Sequence, residues 1–263
     1  MPTLDHSPSL NTLDLSIGRL LRARSKEDSE IVELAGALTS HALRQGHVCL
    51  DLNEIQEFSP TEFLKLKPLK DLSTQLRIHT SVGSEDQTTP PLILSKANKL
   101  YFHRYWHYEQ KLITAIQDRI QSTWVESSQE LNLSDSLGND QRRAVNLATQ
   151  SQLTLISGGP GTGKTTTVLY ILASLQERNK NEPLKIALAA PTGKAAQRIQ
   201  ESLSSGLDQL PISGASKERI TTSASTIHRL LGFKNNSSQF QHNEDNPLPY
   251  DVVVVDEASM LDL

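Results

Sequence analysis

The chain holds 263 residues, 26 of them basic and 30 acidic, with a formal charge of −4. That length suits one or two domains and excludes a complete large motor, while 37% hydrophobic and 21% charged residues exclude a disordered chain. Charge is even, 14 basic against 15 acidic residues up to Val125 and 12 against 15 beyond it, so any nucleic-acid contact must rest on particular side chains.

Cys49 is the only cysteine, which excludes an internal disulfide. The N-terminus lacks a basic stretch leading into an apolar core, and the purest apolar run, Val252 to Val255, falls far short of the roughly 20 residues that cross a bilayer. These features predict a soluble protein of a reducing cytoplasm with no membrane partner.

Leu10, Leu13, Ile17, Leu20 and Leu21 recur at helical spacing, as do Ile31, Leu34, Ala35, Leu38 and Ala42. Val48 to Leu52 reads as a strand, and Ser81 to Pro91 as an exposed loop. Leu92-Ile93-Leu94 and Leu100-Tyr101-Phe102, around the polar Ser95 to Asn98, read as a hairpin. Leu112, Ile113, Ile116 and Ile120 then give a third helix with one apolar face. The predicted first domain, 1–125, is therefore α+β and mostly helical, and polar residues 126–138 read as a linker. From Asn139 helices and strands alternate, with strands expected at Leu153 to Ser157, Lys185 to Ala190 and Val252 to Val255. This pattern predicts a parallel sheet over 139–263, an α/β arrangement. The β-branched last strand is expected to be covered by helices on both faces. The polar stretch between Gly232 and Tyr250 reads as a surface excursion.

After the first of these strands stand Gly158, Gly159, Pro160, Gly161, Thr162, Gly163, Lys164 and Thr165, followed by an amphipathic helix with Val168, Ile171, Leu172 and Leu175. This is the P-loop pattern. Glycines let the loop curl so that backbone N–H groups point at a polyphosphate, with the positive end of a helix behind them. Lys164 reaches the β and γ phosphates, and the Thr165 hydroxyl suits Mg²⁺. A glycine-rich turn matching by chance is the competing reading, and the strand before and helix after weigh against it. Asp256 and Glu257 follow the apolar run Val252 to Val255, which places two acids at a strand tip. Asp256 is expected to hold Mg²⁺ directly or through water, and Glu257 to orient the attacking water. Away from a P-loop, such a pair would more often be a helix cap.

Gly158 to Thr167 (GGPGTGKTTT), Ala190 to Ala196 (APTGKAA), Ser225 to Gly232 (STIHRLLG) and Val255 to Met260 (VDEASM) together resemble the RecD family of superfamily 1 DNA helicases, the alpha subunits of exodeoxyribonuclease V. Gly46 to Leu50 and Lys99 to Phe102 resemble the family's N-terminal assembly domain more weakly, so the likeness covers most of the chain. The resemblance implies an incomplete RecA-like lobe over 139–263, ATP and Mg²⁺ as ligands, and 5′-to-3′ unwinding in double-strand-break repair. It also implies RecB-like and RecC-like partner subunits, with single-stranded and duplex DNA as substrates. Gln141 matches the adenine-reading glutamine, and Thr166 belongs to the phosphate-binding string. Thr192 and Lys194 match one strand-contacting motif; Thr226, His228 and Arg229 match a second. For Lys194 and Arg229 a solvated helix face is the plain alternative.

The resemblance further implies a second lobe carrying arginines, and a strand inserted between the P-loop strand and Val252 to Val255. Neither follows within 263 residues, so a fragment is expected. Two other readings stay open at this point: a non-hydrolysing nucleotide-binding assembly module, and a stand-alone or relaxase-type helicase. His47, Cys49, His103 and His107 lack the paired spacing of a structural zinc site. Tyr101, Phe102, Tyr105, Trp106 and Tyr108 fit a small core or a partner-docking surface better than a base-stacking one.

Overall fold

The computed structural model describes residues 10–27, 29–55, 72–122, 137–159, 161–179, 181–210, 212–233 and 240–261. They form two compact units, one running to Thr114 and the other from Ala115 to Asp262. Mixed α/β architecture with a parallel sheet in the second unit matches the expectation.

In the first unit, helices α1 (Thr12–Arg24) and α2 (Glu30–Arg44) pack against each other at two glycines. A Cβ on Gly18 would lie 2.4 Å from the Glu33 carbonyl oxygen, and one on Gly36 would lie 2.3 Å from Leu21 Cδ1. The spacing read from sequence thus makes the helices, and the glycines set how closely they approach. Strand β1 (Leu50–Asp51), helix α3 (Leu72–Leu76) and strands β2 (Val82–Gly83), β3 (Leu92–Leu94) and β4 (Lys99–Phe102) complete the core. The sheet runs β1-β4-β3-β2. The β3–β4 hairpin is as expected, with Ile93 opposite Tyr101. Its turn places Asn98 at φ 59°, a left-handed conformation that asparagine tolerates better than most residues.

Two expectations for this unit are corrected. Ser81 to Pro91 is not wholly an exposed loop, because Val82 and Gly83 pair in parallel with β3 and are buried. Two residues are too few for a periodicity to show. Helix α4 (His103–Gln121) forms, yet none of its residues is buried, and Leu112, Ile113 and Ile120 lie exposed. Of the aromatics, Tyr101 is buried and packs edge-on against Trp106, while Phe102, Tyr105 and Trp106 are half-buried and Tyr108 is exposed.

Asp14 lies fully buried at the start of α1. Its carboxylate accepts from Asn11 N at 3.0 Å, Ser40 Oγ at 2.8 Å and Arg44 at 3.0 Å. Burial pushes its pKa up, but the Asn11 N–H, the Ser40 hydroxyl and the Arg44 guanidinium outweigh that and hold it below the ordinary carboxylate value. Beside it His41, also buried, takes a hydrogen bond at Nδ1 from Arg44 (2.8 Å), and its Nε2 has no partner. Guanidinium only donates, so this bond requires a lone pair on Nδ1 and the neutral ring. Burial first, then the Arg44 charge, lower the His41 pKa. For both groups the folded pKa is depressed, so each contributes stability above its unfolded pKa that is lost as pH falls through the folded one. His41 acts first, below about pH 6.5, and Asp14 below about pH 4. The melting temperature is therefore expected to fall between pH 7.5 and 5.5, and this fall should shrink in His41→Gln; equal slopes in a pH series of melting curves would exclude His41 as the cause.

The second unit opens with α5 (Asn139–Ala148), followed by α6 (Lys164–Arg178), β5 (Ile186–Ala190), α7 (Gly193–Leu207), α8 (Gly214–Glu218), β6 (Ala224–Thr226), α9 (Ile227–Leu231) and β7 (Val252–Val255). The sheet is wholly parallel, ordered β6-β5-β7, with β5 buried along its length. Apolar faces of α6 and α7 meet it through Leu172, Ile199 and Leu203. Gln176, fully buried near the end of α6, accepts from Leu184 N and donates to the carbonyls of Leu184 and Arg219, so its amide ties three backbone groups to the helix.

Here too two expectations are corrected. Leu153 to Ser157 is not a strand: Ile156 packs on the core, but Leu155 is 86% exposed and no strand pairs with the segment. A short apolar segment records what can be buried and cannot supply a backbone partner. The Val252 to Val255 strand forms, but it is covered on one face only. Val252 and Val254 pack on the core, while Val253 and Val255 stay 42% and 38% exposed at the edge of the sheet. A run of β-branched residues fixes strand conformation and leaves open which faces are covered.

Candidate functional site

Residues 158–163 lead directly into α6. Gly161 and Gly163 hold φ of 74° and 78°, which only glycine adopts without strain. A Cβ on Gly158 would come within 2.8 Å of Thr162 Oγ1. Lys164, the first helical residue, folds its ammonium back over the loop and donates to the carbonyls of Gly158 (2.7 Å) and Gly159 (2.9 Å). Thr162 Oγ1 donates to Gly159 at 2.9 Å, and Thr167 Oγ1 to Gly163 at 3.1 Å. The loop is thus curled and its lysine held at the start of the helix, beside the positive end of α6. Thr165 and Thr166 occupy the same first turn. Pro160 lies outside the described residues.

Gln141 joins this group. Its Oε1 accepts from Gly138 N at 3.0 Å and its Nε2 donates to the Gly163 carbonyl at 3.4 Å. A Cβ on Gly163 would meet that Nε2 at 2.5 Å, so the glycine is also what lets the glutamine approach the loop.

Parallel strands place their exits at one end of the sheet, where α/β folds bind ligands. Thr192 follows β5 and caps α7, accepting from Ala195 N at 3.2 Å. Thr226 ends β6 and caps α9, accepting from Arg229 N at 3.3 Å. Asp256 follows β7, with its N–H bound to the Ala189 carbonyl at 2.9 Å. Glu257 takes φ 53° and ψ 37°, a left-handed conformation that bulky residues avoid, and its N–H donates to Asp256 Oδ1 at 3.0 Å. Such strain concentrates at functional sites. Between α7 and the tip of β7 lies a cavity of about 210 Å³ lined by Thr192, Lys194, Arg198, Asp256 and Glu257.

The predicted residues therefore fall into three groups: the loop with Gln141, Thr192 and Lys194 with the two acids, and Thr226, His228 and Arg229 on α9. His228 packs edge-on against Phe240, and Arg229 is exposed. Among the described hydrogen bonds none joins Asp256 or Glu257 to the loop. Sequence reading missed Arg198, whose only signal was its position one helical turn beyond Lys194 on the same face.

The donors fit a hard, water-retaining cation. Thr165 and Asp256 offer hydroxyl and carboxylate oxygens, and no cluster of three or more His, Cys, Asp or Glu side chains stands ready for a metal among the described residues. Mg²⁺ binds in that manner, through one or two protein oxygens, waters and phosphates. His103 and His107 stack with ring centroids 6.4 Å apart. No helix among the described residues is long and apolar enough to cross a membrane.

Residues 7–101 match the N-terminal domain family of the RecBCD enzyme subunit RecD, and residues 141–263 match an AAA domain. The chain is 37% identical over 261 residues to the RecBCD enzyme subunit RecD of Mycolicibacterium smegmatis, covering 97% of this chain and 46% of that protein. With the same subunit of Haemophilus influenzae the identity is 32% over 260 residues, covering 88% and 40%. The ATP-dependent RecD2 DNA helicase of Deinococcus radiodurans is 38% identical over 125 residues, covering 48% of this chain and 14% of that protein. The chain thus spans less than half the length of the relatives it matches.

Proposed function

We propose that this chain, which belongs to the RecD family, carries the assembly domain and the nucleotide-binding lobe of an ATP-driven 5′-to-3′ DNA helicase subunit. On this reading it works within an exodeoxyribonuclease V complex of RecBCD type, alongside RecB-like and RecC-like subunits, in recombinational repair. One observation carries the reading: a RecD-type N-terminal domain and a P-loop domain occur in the same chain. The similarity to RecD subunits runs through both, whereas that to the RecD2 helicase covers 48% of the chain.

The chemistry follows from the groups described. Backbone N–H groups of Gly158, Gly159, Gly161, Thr162 and Gly163 and the start of α6 receive the phosphates of ATP, with Lys164 supplying a point charge. Lys164 has to exchange its bonds to Gly158 and Gly159 for phosphate oxygens, a substitution of one set of acceptors for another. Gln141, held against Gly163, takes the adenine edge on this reading. Thr165 and Asp256 would hold Mg²⁺, which would supply positive charge to the phosphates. Glu257 orients water. Thr192, Lys194, Thr226, His228 and Arg229 bear on the strand backbone, contacts that position nucleic acid without reading its sequence.

The test is ATP hydrolysis by the complete gene product with and without single-stranded DNA. Stimulation by the strand, together with co-purification of RecB-like and RecC-like subunits, is the expected result. Hydrolysis indifferent to DNA would overturn the helicase reading.

A further inference from the structure

The cavity between α7 and the tip of β7 holds an unusual set of charges. Lys194 and Arg198 stand one turn apart on α7 and line it from one side, and Asp256 and Glu257 line it from the other. Among the described residues, neither cationic side chain is committed to a hydrogen bond or an ion pair. No P-loop residue lines the cavity. Glu257 is brought there by its left-handed backbone, which turns the chain out of β7 and into the short 3₁₀ turn Ala258–Met260.

We propose that Arg198, acting with Lys194, couples strand binding to hydrolysis by drawing the Glu257 carboxylate toward α7 until a nucleic-acid phosphate occupies the two cations. The inference rests on the helicase reading above and names a residue and a device that reading does not need. Lys194, Arg198 and Glu257 are exposed, so solvent screens the attraction between these opposite charges and leaves it a weak one. With no ion pair formed, the attraction biases the position of Glu257 without locking it. A phosphodiester brought against Lys194, Arg198 and the N–H groups at the start of α7 satisfies both cations at short range. Glu257 is then free to swing toward the loop and its water. Arg198 is in this scheme a positioning residue, because it acts on the reaction through Glu257. Linkage requires the converse as well: nucleotide that engages Glu257 strengthens strand binding at the cations.

The experiment uses the complete gene product and its Arg198→Gln and Arg198→Lys variants, with ATP hydrolysis measured across a titration of single-stranded oligonucleotide. Arg198→Gln is expected to raise hydrolysis in the absence of DNA, to lower the stimulation ratio by about fivefold or more, and to raise the DNA concentration for half-maximal effect. Arg198→Lys should restore most of the ratio. Melting temperature serves as the control for folding, since Arg198 is exposed and makes no ion pair among the described residues. A parent stimulated by DNA alongside an Arg198→Gln variant with the same ratio overturns this inference alone. A ratio that falls only through weaker DNA binding, with DNA-free hydrolysis unchanged, also overturns it, reducing Arg198 to a phosphate contact. A parent that DNA does not stimulate removes the helicase reading and the coupling with it.

Discussion

Glu257→Gln in the complete gene product is expected to slow ATP hydrolysis by about 10²- to 10⁴-fold, the range for loss of a positioned acid–base group, while Mg·ATP binding persists. The amide keeps the shape of the side chain and its left-handed backbone, and loses the negative charge that polarises water. Lys164→Ala is expected to fail differently. Its ammonium spans the loop to Gly158 and Gly159, so its removal takes away both the phosphate charge and a brace of the loop, and nucleotide binding itself should fall. Measured side by side, nucleotide affinity and turnover separate the two roles. A Glu257→Gln enzyme hydrolysing at the parent rate would remove that residue from the chemistry.

Gly18→Val is expected to destabilise the first unit by about 3 kcal/mol, at the upper end of the overpacking range. The obstacle is the Glu33 carbonyl, 2.4 Å from the new Cβ, with Ala37 Cβ at 3.2 Å. A backbone oxygen cannot rotate away as a side chain can, so α1 has to move off α2, and the packing of Leu21, Val32 and Leu38 loosens with it. Gly214→Ala, where a Cβ meets nothing within 4 Å, is the matched control and should leave stability nearly unchanged. Urea or thermal unfolding of both variants decides the matter; equal stability would show that the helices do not need their close crossing.

What the sequence made legible was local. Helical spacing identified α1 and α2, and two short apolar runs on either side of the polar Ser95 to Asn98 identified the hairpin. The loop Gly158 to Thr165 was legible because its chemistry demands glycine and lysine at fixed spacing, and the structure shows why in the positive φ angles and the reach of Lys164. What escaped depended on neighbours distant in the chain. Val82–Gly83 is a strand only because β3 lies beside it, and Leu153 to Ser157 fails to be one because no ladder forms there. Ala224–Thr226, three residues with small side chains, becomes a strand by pairing with Leu188 to Ala190. Arg198 looked like any solvated helix residue until the tip of β7 was placed opposite it. The two exposed faces, on α4 and on β7, likewise could not be foreseen, since an apolar pattern states what a segment can bury and leaves open what arrives to cover it.

The half-covered β7 has a practical side. Four consecutive valines with high β propensity, no charge and no proline sit at a sheet margin, and Val253 and Val255 face solvent. An uncharged margin of this kind is a template for a further strand, which the same polypeptide can supply as readily as another molecule. The only interruptions are acidic: Asp251 on one flank, whose carboxylate caps Lys185 N at 2.7 Å, and Asp256 with Glu257 on the other. These carboxylates act as gatekeepers, and neutralising them by acid or by mutation removes the repulsion that keeps one copy of the strand from stacking on the next.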